Sequence, residues 1–101
     1  MTIKEFAKIV QEQQVERAVK QFGRPAEECL TLFRCETSVI PGKKYTKVNV
    51  GHSGKFMIDA AGNIFGIKGY GVIHKGHHYG NLETVNDWYW GNYSPVRKGQ
   101  L

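Results

Sequence analysis

Lys44-Tyr45-Thr46-Lys47-Val48-Asn49-Val50, followed by Gly51-His52-Ser53-Gly54 and Lys55-Phe56-Met57-Ile58-Asp59, marks where the apolar period of this chain changes from helical to strand-like. Across the first of these segments Lys47 and Asn49 fall on one face and Thr46, Val48 and Val50 on the other, the alternation of a half-exposed strand. Pro41-Gly42 is a turn signal ahead of it, and the glycines of 51–54 form the next turn. Lys55 to Asp59 then reads as a second strand, Ala60-Ala61-Gly62-Asn63 as a turn, Ile64 to Lys68 as a third strand and Gly71 to His74 as a fourth. Short strands joined by tight loops make an antiparallel meander, and one this small needs helices over its apolar face.

The helices are expected in the first forty residues. Thr2 with Glu5 matches a capping box, after which Ile3, Phe6, Ala7 and Val10 mark one helical face and Val15, Ala18, Val19 and Phe22 another. The two stripes differ by roughly 120° and are separated by Gln11-Glu12-Gln13-Gln14, so the segment bends or touches two surfaces. Wrapping around one core is the simpler reading; the other gives one stripe to a partner subunit and makes the helical segment a route to homo-oligomers. Gly23 supplies a left-handed stop, and Pro25 opens a second helix with Leu30 and Phe33 facing inward. The expected fold is therefore α+β in a single domain. One bent helix or two (1–40) pack on a meander of three to four strands with an aromatic segment (41–95), and a frayed basic tail follows (96–101). Leu82 to Tyr93 reads as a short helix or an aromatic edge.

Composition narrows the function. Six Lys/Arg balance six Glu before residue 41, whereas eight Lys/Arg face only Asp59, Glu83 and Asp87 after it, so the whole net charge of +5 lies in the second half with nine of the twelve aromatic rings. Positive charge studded with flat rings attracts polyanions and stacks on bases, and the same composition suits a protein interface. No apolar run approaches the roughly 18 residues of a membrane span, and Met1-Thr2-Ile3-Lys4-Glu5 carries no signal-peptide core, so a cytoplasmic protein without membrane contact is expected. Cys29 and Cys35 then read as reduced, partly buried thiols.

Three constellations in the second half could carry chemistry. Gly66-Ile67-Lys68-Gly69-Tyr70-Gly71 could cradle an anion on backbone N–H groups beside Lys68, or simply mark a bulge between strands. His74-Lys75-Gly76-His77-His78-Tyr79, with His52, could supply an acid–base pair for cleaving RNA, although an exposed polar loop whose histidines add to the positive field is the simpler reading. Its spacing fits no structural zinc pattern, so neither a metal nor any other cofactor is expected. Trp88-Tyr89-Trp90-Gly91-Asn92-Tyr93 could stack on unpaired bases, anchor an interface or fill the core, with one of the two tryptophans expected to be buried and the other partly exposed.

Lys44 to Val50, Ser53-Gly54-Lys55-Phe56-Met57, Gly66 to His77, Tyr79-Gly80 and Trp88-Tyr89-Trp90 together resemble a small protein type found in bacteriophages and other mobile elements. The resemblance covers roughly the second half and implies a bacterial or phage setting and a small stand-alone protein; it brings no activity, cofactor or binding residue. Three functions follow from the residues. The leading one is a non-enzymatic binder of nucleic acid or phosphate-bearing ligands through Lys43, Lys44, Lys47, Lys55, Lys68 and Lys75 for charge, with Tyr70, His77, Tyr79, Trp90 and Tyr93. The second is an inhibitor or regulator of an acidic host protein, steered by the same surface. The third is a metal-independent ribonuclease using His52, His74, His77 or His78.

Overall fold

A computed structural model describes residues 1–92 and 94–100. Helix α1 (Ile3–Phe22) begins at the expected capping box: the Thr2 hydroxyl accepts from the Glu5 N–H at 3.1 Å, and the Thr2 N–H donates to the Glu5 carboxylate at 3.0 Å. It ends at Gly23, whose φ of 66° lets its N–H reach the Val19 carbonyl at 2.9 Å. Pro25 stands one residue ahead of the short α2 (Ala26–Leu32), as its N-cap.

The strands run β1 (Thr37–Ile40), β2 (Thr46–Val50), β3 (Ser53–Ile58), β4 (Asn63–Gly69) and β5 (Val72–Asn81), each antiparallel to its neighbour in chain order. Two of these differ from expectation. β1 belongs to the stretch assigned to helix, because the helical period stops at Cys35 and Thr37-Ser38-Val39-Ile40 alternates in burial against β2. β1 raises the sheet from the expected three to four strands to five, and β5 continues seven residues past His74. The basic tail is not frayed at its start either: β6 (Trp88–Tyr89) pairs with β7 (Val96–Arg97), and single 3-10 turns occupy Val85–Asp87 and Lys98–Gln100.

α1 lies on the inner face of the sheet. Phe6, Ala7 and Val10 meet Val48, Phe56, Ile58 and Ile64, and Trp90 closes the end of this core, edge-on to Phe6 at 4.8 Å and to Phe56 at 5.4 Å. The Trp90 indole N–H, which needs a partner once buried, donates to the Val85 carbonyl at 3.0 Å. Both tryptophans are buried, Trp90 fully, so the expectation that one would stay partly exposed does not hold. The second stripe of α1 covers a smaller cluster of Ala18, Cys29 and Cys35, whose thiols are free and buried. Phe33, expected inside, instead stacks on exposed Phe22 at 4.3 Å.

The polar run between the stripes has a structural task. Gln11 accepts from the Thr37 N–H of β1 at 3.0 Å, while Gln13 accepts from the Trp90 N–H and Gln14 donates to the Trp90 carbonyl, both at 2.7 Å. One uninterrupted helix thus ties together the first strand and the aromatic segment.

Candidate functional site

The sheet is irregular along β3 and β4, and several of the residues singled out from the sequence gather there. Val48 pairs with Phe56 but Asn49 pairs with Gly54, which leaves Lys55 as an extra residue in β3. A bulge of this kind breaks the alternation and re-aims a side chain. Lys55 accordingly lines the same pocket as its neighbour Phe56 and is half-buried. Burial first, and the nearby Arg17 guanidinium second, pull the Lys55 ammonium below its ordinary pKa.

Between β3 and β4 the ladder consists of Met57↔Phe65 and Ile58↔Ile64. Beyond these pairs the strands part, so Gly54-Lys55-Phe56 and Gly66-Ile67 form the two prongs of a fork. On the far side of β4, Phe65 pairs with His78 but the next residue, Gly66, pairs with His74, so Lys75-Gly76-His77 bulge out. The bulge stacks the His74 and His77 rings face to face at 4.0 Å. Gly76 leaves room for this stack, since an added Cβ would lie 2.9 Å from the His74 ring and the ring would have to shift.

The fork has a mouth on each face of the sheet, and Gly54 and Ile67 border both. The inner mouth, about 220 Å³, is lined by Lys55, His77, Tyr79 and Ser94 over walls of Phe56 and Pro95. Its floor is Gly66, where a Cβ would come within 3.1 Å of His77 and 3.3 Å of the Tyr79 hydroxyl. Burial raises the Tyr79 pKa, which keeps the phenol protonated and able to donate. The outer mouth, about 390 Å³, is lined by His52, Ser53, Lys68 and Tyr70. Tyr70 lies over the outer face of the sheet: the Lys47 ammonium sits 5.0 Å from its ring centroid, the Asn49 amide donates to its hydroxyl at 3.4 Å, and the ring remains 58% exposed. Lys47 reaches it because Lys47 and Val48 point to opposite faces, as the alternation predicts.

Of the eleven proposed ligand-binding residues, Lys55, His77 and Tyr79 meet at one mouth, Lys68 and Tyr70 at the other, with Lys47 supporting Tyr70, while Lys43 is exposed and lines neither. Lys44 packs over Tyr45 instead, and Lys75 is exposed on the bulge without lining either mouth. Trp90 is corrected: a fully buried ring wedged between Phe6 and Phe56 has no face to offer a base. Tyr93 lies outside the described residues. The four histidines do not converge, since His52 borders the outer mouth, His77 the inner, His74 stacks on His77, and His78 lies against Phe65 at 4.9 Å. No cluster of three or more His, Cys, Asp or Glu suited to a metal occurs among the described residues, and no helix among them is long and apolar enough to cross a membrane.

Sequence reasoning missed Ser94 and Pro95, which line the inner mouth, and Arg17, whose charge acts on Lys55; none of them carried a local signal. Gly54 and Gly66 were legible only as turn or bulge residues. No family model, curated protein or solved structure matches the chain.

Proposed function

We propose that the fork binds a single-stranded nucleic acid or another phosphate-bearing ligand without catalysing its reaction, in the bacterial or phage setting that the resemblance implies. One observation carries this reading: among the described residues, the side chains lining both mouths include ammonium, phenol, imidazole and hydroxyl groups and no carboxylate. Such a lining offers hydrogen bonds and positive charge to an anion and opposes it nowhere. Tyr70 supplies an exposed ring beside it for a base to stack on, a contact worth about 1–3 kcal/mol. The prongs stand where two strands of one sheet separate, an opening suited to a single strand; a duplex would meet only the rim.

Fluorescence anisotropy with labelled single-stranded DNA and RNA tests this. If Lys47, Lys55 and Lys68 each neutralise a phosphate, a fourfold rise in salt lowers affinity roughly twentyfold. Lys55→Gln with Lys68→Gln reduces both the affinity and the salt slope. A wild-type protein that binds no oligonucleotide at low salt, or a double variant that binds as well as wild type, overturns the proposal. Retention of one acidic protein by the same sample, without oligonucleotide binding, favours the regulator of an acidic partner instead.

A further inference from the structure

Away from the fork, on the opposite end of the chain's charge balance, α1 and α2 leave an open trough between them of about 520 Å³. Its floor is Val15, Val19, Ala26 and Leu30, and the three valine and leucine side chains are only half-buried. Its rim carries Glu12, Glu16 and Glu27 against Lys20. Lys20 is already bound to Glu16 at 3.1 Å, and Glu12 and Glu27 make no ion pair among the described residues. In a chain of net charge +5 this is a local reversal of sign around an apolar floor.

We propose that this trough docks an amphipathic helix of a partner protein that presents aliphatic side chains to the floor and lysines or arginines to the rim. Shape and charge both select that occupant. The trough is open along its length, so a small molecule would stay largely in water, whereas pocket ligands bury most of their surface. The α1 residues that border it, Gln11 to Lys20, span about 14 Å at 1.5 Å per residue, the length of two to three helical turns. A helix of that length places side chains at i, i+4 and i+7 along one seam. Basic flanking residues meet Glu12 and Glu27, which have no competing cation. A second copy seated face to face would bring a second rim of three glutamates and one lysine against the first, two net-negative surfaces whose repulsion opposes the twofold dimer.

The test uses the intact chain and three labelled peptides of about 14 residues: a Leu/Lys amphipathic helix, the same design with Glu in place of Lys, and a Leu/Lys scramble of equal charge without an apolar face. Anisotropy is expected to show the Leu/Lys helix binding at least about tenfold tighter than either control. The exposed double variant Glu12→Lys/Glu27→Lys, verified as folded by circular dichroism, is expected to lose that preference, and Val19→Ser to weaken binding of the same peptide. Equal binding of helix and scramble means general attraction by charge and overturns the proposal, as does undiminished binding by the double variant. A wild-type protein that sediments as a dimer and excludes the peptide assigns the trough to a second copy and overturns it too. Because the reversed residues lie outside the fork, oligonucleotide binding reports independently on the earlier reading.

Discussion

Lys55 owes its position to a single extra residue in β3, and its ionisation follows from where that residue leaves it. Burial is the larger influence and Arg17 the smaller, both disfavouring the ammonium. Since the folded-state pKa lies below 10.5, the unfolded chain holds this proton more firmly; stability therefore rises with pH between the folded value and 10.5, and the gain is lost as pH falls through the folded value. In NMR titrations Arg17→Gln should move the Lys55 pKa upward without restoring it to 10.5, because desolvation remains. A bound phosphate should move it upward as well, by favouring the charged form. Gly66 offers a second test. An added methyl would crowd His77 and Tyr79 at the floor of the inner mouth, so Gly66→Ala should reduce oligonucleotide affinity about tenfold while leaving the circular dichroism spectrum unchanged. Arg34 holds a φ of 50°, a left-handed conformation costing a non-glycine residue about 1 kcal/mol, so Arg34→Gly should raise stability by up to that amount in urea titrations.

Among the elements, α1 was the easiest to read and yet not fully understood from its pattern. Thr2, Glu5 and Gly23 mark its ends through local chemistry, which sequence displays directly. Thr2→Ala should cost about 1 kcal/mol, measured by chemical denaturation. The meaning of Gln11, Gln13 and Gln14 could not be read the same way, because their partners Thr37 and Trp90 lie 26 to 77 positions away. β1 was hidden for a related reason: four residues carry too little period to be told from the end of a helical stretch. β2 was legible from alternation and β3 from the turns that flank it, but Phe56-Met57-Ile58 is buried throughout and the bulge at Lys55 has no period to announce it. The aromatic segment shows the remaining limit. Clustered rings identify residues that matter, but whether they face water depends on what closes the core, and here Trp90 does so. Trp90→Ala should cost about 4 kcal/mol, far more than a ligand contact would imply, and should reduce stability without any ligand present.

At the scale of the whole molecule, charge is divided between two surfaces of opposite character. The fork gathers Lys55, Lys68 and His77 with no carboxylate among the described residues, and the helical trough carries three glutamates around aliphatic residues. Distant sites without shared partners act additively. Because Glu12→Lys/Glu27→Lys makes the chain more basic, any gain in its oligonucleotide affinity should be general attraction that added salt removes, and Lys55→Gln/Lys68→Gln should leave the preference for the Leu/Lys helix over its scramble unchanged, as read by anisotropy on matched samples. The early end of the β3–β4 ladder has a dynamic consequence as well. With β3–β4 pairing confined to Met57↔Phe65 and Ile58↔Ile64, the outer half of the β4–β5 hairpin is held to the rest of the sheet by a short backbone seam and by the contacts of Tyr70 with Lys47 and Asn49. Amide hydrogens of Ile67 to Ile73 should consequently exchange with deuterium through partial openings that leave Val48 and Phe56 protected. Such an opening would splay the prongs in the folded protein, so that a strand longer than the pocket could be admitted from the side and need not be threaded end-first.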